Sequence, residues 1–99
     1  MKLSDLNKKQ ETLRKKFLKR GVKMIAPETI FFSKDTIIGK NVTIDPYVVI
    51  GEKVKIKNNV KIFSFSHLVN TSIDSNVTVG PYARLRHGTK LLSGSKIGN

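Results

Sequence analysis

The stretch NVTIDPYVVIGEKVKIKNNVKI, residues 41–62, carries an aliphatic side chain at every sixth position. Ile44, Ile50, Ile56 and Ile62 form one ladder, and Val42, Val48, Val54 and Val60 form a second, each two residues ahead of the first. Residues two apart in a strand point to the same side, so each Val-x-Ile unit delivers two side chains into one interior. Six residues then make one short strand and one corner. Three such units close an eighteen-residue coil, a repeat that defines a solenoid before any element is considered singly.

The ladder continues outward in both directions. Ile38 precedes it and Leu68 follows; after one step of five it resumes at Ile73, Val79, Leu85, Leu91 and Ile97. Val77, Ala83, Thr89 and Ser95 are the smaller companions, and Gly39, Gly51, Gly80 and Gly98 follow ladder residues where the chain must turn. The segment from Phe63 to Ser72 departs furthest from the repeat. A shortened corner or small bulge is expected there, with Phe63 and Phe65 covering the outside of the prism.

Three segments follow. Residues 1–21 read as a helix, with Ser4 able to cap it, Asp5 in the first turn, Leu3, Leu6, Leu13 and Phe17 on one stripe, Gln10 in the gap, and Gly21 as the stop. Residues 22–35 read as an irregular lead-in around Pro27. Residues 36–99 read as about three and a half coils of solenoid, open at the C-terminal end because Leu91 and Ile97 lie on an incomplete coil with no polar cap after it. The expectation is the leading part of a longer solenoid protein.

Composition narrows the function classes. The 99 residues make one small domain with a net charge of +12 and no cysteine, which excludes a disulfide framework and a thiolate metal site. No apolar run is long enough to span a membrane, and a cytoplasmic protein is expected. The basic surplus is divided evenly, six in the first twenty residues and six in the rest. Fifteen Lys against four Arg, with ten Ile and seven Asn, is the usage of an AT-rich coding sequence. No aromatic-basic platform or recognition helix accompanies it, so nucleic acid is not the expected partner.

Gly80-Pro81-Tyr82-Ala83-Arg84-Leu85-Arg86, then Gly88, Gly94 and Ile97-Gly98-Asn99, resembles the bacterial bifunctional UDP-N-acetylglucosamine pyrophosphorylase/glucosamine-1-phosphate N-acetyltransferase family. The helix, Gly21-Val22, Pro27 and Asp45-Pro46 fall in matching order. The resemblance implies an all-β fold: a left-handed parallel β-helix of hexapeptide repeats, preceded by one N-terminal α-helix that links it to a nucleotide-binding domain. It implies uridylyl transfer with Mg²⁺ in one domain and acetyl transfer from acetyl-CoA to glucosamine-1-phosphate in the other, as a homotrimer making UDP-N-acetylglucosamine for the cell envelope.

Of this chain's residues, the resemblance makes Arg86 a contact of the sugar phosphate, where a guanidinium fork suits phosphate oxygens. Arg84 receives no ligand role. His87 stands where the family has Pro. Neither His67 nor His87 matches the family's catalytic base, no Gly-rich nucleotide loop is present, and no third His exists for a metal site, so no catalytic or metal-binding residue is expected. The chain is therefore expected to be inactive alone, a truncated or split member that needs further copies or a missing C-terminal chain. The alternative is a non-catalytic, trimerising β-solenoid that serves as an interaction module.

Overall fold

The computed structural model describes residues 2–98. One helix, α1 (Leu3–Lys19), leads into a parallel β-solenoid whose twelve short strands stack in three sheets. The strands are β1 (Lys23–Met24), β2 (Ile37–Ile38), β3 (Thr43–Ile44), β4 (Val49–Ile50), β5 (Lys55–Ile56), β6 (Lys61–Ile62), β7 (His67–Leu68), β8 (Thr71–Ile73), β9 (Thr78–Val79), β10 (Arg84–Leu85), β11 (Thr89–Leu91) and β12 (Lys96–Ile97). Sheet A runs β1-β3-β6-β9-β12. Sheet B runs β4-β7-β10, with Phe31 bridging to Val49, and sheet C runs β2-β5-β8-β11.

Ladder residues meet their own kind. Ile44 lies opposite Ile62 and Ile62 opposite Val79, while Ile50 faces Leu68 and Ile56 faces Ile73. Ile44, Ile50, Ile56, Ile62, Leu68 and Ile73 are all sealed from solvent, as are Val42, Val48, Val54 and Val60. Each such side chain contributes roughly 1.5–3 kcal/mol by leaving water, and the stack forms one continuous core.

The corners show the same period in their backbone. Asn41, Tyr47, Lys53, Asn59 and Phe65 have φ between 56° and 63°, and after a step of five Asn70, Asn76 and Tyr82 continue, followed by Gly88 and Gly94. A left-handed conformation costs a non-glycine residue roughly 1–2 kcal/mol, with Asn among the more tolerant. One such residue per unit turns the chain from one sheet to the next. The step of five is the break in the sequence ladder: one corner residue, Val69, precedes Asn70, where two precede the other left-handed residues. Strand register accordingly spans eighteen residues before it, as between Val49 and His67, and seventeen across it, as between His67 and Arg84. Ser66 and Thr71 replace Val on the inner ladder at this point. Their hydroxyls donate to the Phe63 and Val69 carbonyls, so neither is buried without a partner.

Stacking begins earlier than residue 36. In the segment read as an irregular lead-in, β1 pairs in parallel with β3, Phe31 bridges β4, and Ile30 and Phe32 are buried in the core. A 3-10 turn at Pro27–Thr29 lengthens this coil, putting Lys23 opposite Thr43, and that extra length hides it from a six-residue count.

Helix α1 closes the first coil. It starts at Leu3 with Lys2 as the flanking residue, so Ser4 sits inside the first turn instead of capping it. It stops in a Schellman motif: Gly21 has φ 92°, its N–H donates to the Leu18 carbonyl, and the Val22 N–H donates to Phe17. Phe17 is fully buried, with its ring 4.7 Å from that of Phe32. Gln10 treats the Phe32 backbone as a strand partner, donating to its carbonyl and accepting from its N–H, each at 2.9 Å. Arg14 donates to the Ile30 and Glu28 carbonyls at 3.0 and 3.2 Å. Leu3 and Leu6, on the outer half of the stripe, remain exposed. No helix among the described residues is long and apolar enough to cross a membrane.

Candidate functional site

β10 fixes the positions of both motif arginines. Ala83 and Leu85 point inward and are buried, which sends Arg84 outward from sheet B, beside His67 of the coil before. Arg86 follows in the corner between sheets B and C and is exposed. Its carbonyl accepts from both the N–H and the hydroxyl of Thr89, at 3.2 and 2.7 Å, so the corner backbone is held while the side chain is left out. The Gly88 N–H donates to the Asn70 carbonyl at 2.9 Å, and Gly88 takes the left-handed conformation with φ 81°.

His87 is exposed beside Arg86, and its Nδ1 lies 3.3 Å from the Asn70 side-chain amide. If that amide nitrogen donates, Nδ1 accepts and Nε2 carries the ring proton. The corner is thus tied to Asn70 of the coil before, through the Gly88 backbone and the His87 side chain. Arg86 makes no ion pair among the described residues; the pairs there are Arg14–Glu11 and Lys57–Asp74. A free, exposed guanidinium on a fixed corner can receive a phosphate or carboxylate in bidentate fashion.

The two histidines do not come together, because His67 lies on the face of sheet B and His87 on the following corner. No three His, Cys, Asp or Glu side chains converge among the described residues. Nothing in this set fits the Mg²⁺ that the family resemblance implies. Lys55, Lys57 and Lys90 rim a shallow depression of about 180 Å³ on sheet C, floored by Ile73 and Leu91. Asp74 already holds Lys57 at 3.6 Å, and Arg86 does not reach this depression.

Reasoning from sequence missed one feature. Tyr47, Phe65 and Tyr82 occupy the corner between sheets A and B in three successive coils. Their rings stack at centroid distances of 5.4 and 5.2 Å and are parallel within 7°. Each is more than half exposed. The signal was present as aromatic residues one coil apart, once the step of five is allowed for.

Residues 35–68 match the family described as bacterial transferase hexapeptide (six repeats). The chain is 48% identical over 90 residues to the bifunctional protein GlmU of Zymomonas mobilis, covering 91% of this chain and 20% of that protein. It is 50% identical over 90 residues to GlmU of Wolbachia pipientis wMel, covering 91% and 21%. Against GlmU of Rhodopseudomonas palustris it is 57% identical over 64 residues, covering 65% and 14%. The chain spans about one-fifth of the length of the first two of these curated relatives. Over that fifth the chain is similar to the bifunctional proteins GlmU, and its fold is the left-handed hexapeptide β-helix led by a single α-helix.

Proposed function

We propose that this chain supplies the first coils of an acetyltransferase β-helix in the synthesis of UDP-N-acetylglucosamine, in the cytoplasm. Arg86 contacts the phosphate of glucosamine-1-phosphate. The observation that carries the reading is the match of 48–50% identity over 91% of the chain, joined to an Arg86 left free on a pinned corner. A general base must lie within hydrogen-bond reach of the amine it activates. The resemblance gives neither His67 nor His87 the part of that base, and it assigns the uridylyl-transfer groups and the handling of acetyl-CoA to other residues of the family. The chain by itself is therefore inactive in both reactions. It works as a homotrimer.

The test is a titration of isotope-labelled chain with glucosamine-1-phosphate. Resonances of the corner at residues 84–88 should shift, and Arg86→Ala should abolish those shifts. Shifts centred on Lys55 and Lys90 instead would contradict the assignment. Release of free CoA from acetyl-CoA and glucosamine-1-phosphate by the purified chain would contradict inactivity.

A non-catalytic interaction module is the second reading, favoured by the exposed aromatic edge. It predicts a discrete oligomer with no response to the sugar phosphate.

A further inference from the structure

The corner between sheets B and C changes length from coil to coil. Three residues, Arg86-His87-Gly88, join β10 to β11, whereas two, Val69-Asn70, join β7 to β8 in the coil before. One coil earlier still, Gly51-Glu52-Lys53 precede the inward Val54. Backbone bonds stack the three corners: the Asn70 N–H donates to the Glu52 carbonyl and the Gly88 N–H to that of Asn70. The shorter corner is set back. Val69 and Asn70 are half-buried, while Glu52, Lys53, Arg86, His87 and Gly88 are exposed. A recess results, with Asn70 on its floor, Arg86 and His87 on one wall, and Glu52 and Lys53 on the other.

We infer that His87 is a second recognition group for the phosphate that Arg86 takes, its Nε2–H donating to the oxygen that the guanidinium leaves free. This rests on the reading of Arg86 above and adds what selects a phosphate over other anions. The Asn70 side-chain nitrogen lies 3.3 Å from His87 Nδ1. An amide nitrogen only donates, so Nδ1 accepts and the proton of the neutral ring sits on Nε2. Nε2 lies across the ring from the contact with Asn70, so its N–H is directed out of the recess toward solvent. The bond from the Gly88 N–H to the Asn70 carbonyl, at 2.9 Å, holds the backbone of the same corner. Ring and backbone are thereby fixed by one residue of the coil before.

Oxygen count decides the ligand class. A guanidinium fork binds two oxygens of an anion side by side. A carboxylate then has none left, whereas a phosphate monoester keeps a third for a donor beside the fork. Among the described residues no carboxylate pairs with Arg86 or His87, so both are available. The far wall carries one charge of each sign, and its Glu52 keeps an anion on the Arg86 side of the recess. Arg84 on sheet B and Lys90 on sheet C flank the corner. Their charges draw anions of every kind without distinguishing them. The directed donor at His87 is what distinguishes them.

The test is a titration of the isotope-labelled 99-residue chain at pH 8 with glucosamine-1-phosphate and, separately, with glucuronate, a sugar carboxylate. In the free chain, long-range imidazole correlations should place the His87 proton on Nε2, and the sugar phosphate should move that signal. His87→Phe should weaken binding of the sugar phosphate about fivefold and leave glucuronate binding as it was. His87→Gln, which returns a donor, should recover part of the loss. A proton on Nδ1 in the free chain, or a loss shared equally by both ligands, overturns the part given to His87. So does unchanged phosphate binding in His87→Phe where Arg86→Ala abolishes it, and Arg86 then keeps its assignment. No response of residues 84–88 to the sugar phosphate overturns the Arg86 reading itself, and this inference with it.

Discussion

The two ends of the prism are finished differently. At the first coil, Phe17 plugs the core, Gln10 completes the hydrogen bonding of Phe32, and Arg14 takes the carbonyls of Ile30 and Glu28. At the last coil, β10, β11 and β12 each end their sheets, Leu91 is 9% exposed, Ile97 is half-buried and Leu92 is 72% exposed. Successive coils of a solenoid stabilise one another through shared faces. Stability in this chain should therefore be highest where coils are covered on both sides, remain high under the helix, and fall toward residue 98.

Substitutions can break that gradient, and their effects should rank by position. Ile50 lies mid-stack, opposite Leu68 and with its N–H donating to the Phe31 carbonyl, and is 2% exposed. Ile50→Lys should abolish folding and Ile50→Ala should cost about 2–5 kcal/mol, as read from chemical denaturation. Full cooperative melting of Ile50→Lys would show that the ladder does not point inward. Removing the plug comes next. Phe17→Ala should cost about 3–5 kcal/mol and should loosen the first coil ahead of the third. A smaller loss than that of Leu91→Ala would reverse the proposed ranking of the two ends.

Gln10→Ala should cost about 1–3 kcal/mol, because it strands the Phe32 backbone pair at the sheet edge. Gln10→Glu restores the acceptor but not the donor, and should recover only part of that loss.

The smallest effect is electrostatic. The Asp35 carboxylate is held below its ordinary pKa of 3.8, first by the Ser33 side chain and then by the backbone N–H of Lys53, which donates to Oδ2 at 3.1 Å. A carboxyl whose folded pKa is depressed binds fewer protons in the folded state than in the unfolded one. Its contribution is complete above the ordinary value and is lost as pH falls through the depressed one. Asp35→Asn should remove that contribution, lowering stability slightly at neutral pH and converging with the parent chain at acid pH, so that the acid limb flattens; an unaltered acid limb would show that the contact is not maintained in solution.

Much of this was legible in the residues because the repeat is built from burial. A six-residue period in Ile and Val states which side chains are inside, and from that follow three sheets and the step of five at Val69-Asn70. The first coil was not legible as one. Its 3-10 turn at Pro27–Thr29 lengthens it, and Ile30 and Phe32 enter the core without a ladder to announce them. The stripe on α1 identified Phe17, but nothing in sequence spacing says that a Gln side chain will act as a strand partner 22 residues away. The ladder puts Arg86 one residue past Leu85, at a corner; that this corner meets Asn70 of the coil before through His87 is a cross-coil contact that spacing alone does not state. The aromatic edge was missed because side chains on the outside of a repeat leave no burial pattern.

Amide hydrogen exchange on the 99-residue chain tests the central claim, a parallel solenoid anchored under its helix and fading toward its last coil. Amides of Thr43, Asp45, Lys57, Lys61 and Phe63, which donate to the carbonyl of the next coil, should be the slowest to exchange. Those of residues 91–98 should exchange far faster, with protection falling coil by coil between the two regions. Equal protection at residues 43–62 and 91–98, or faster exchange beneath α1 than at β12, would contradict the account.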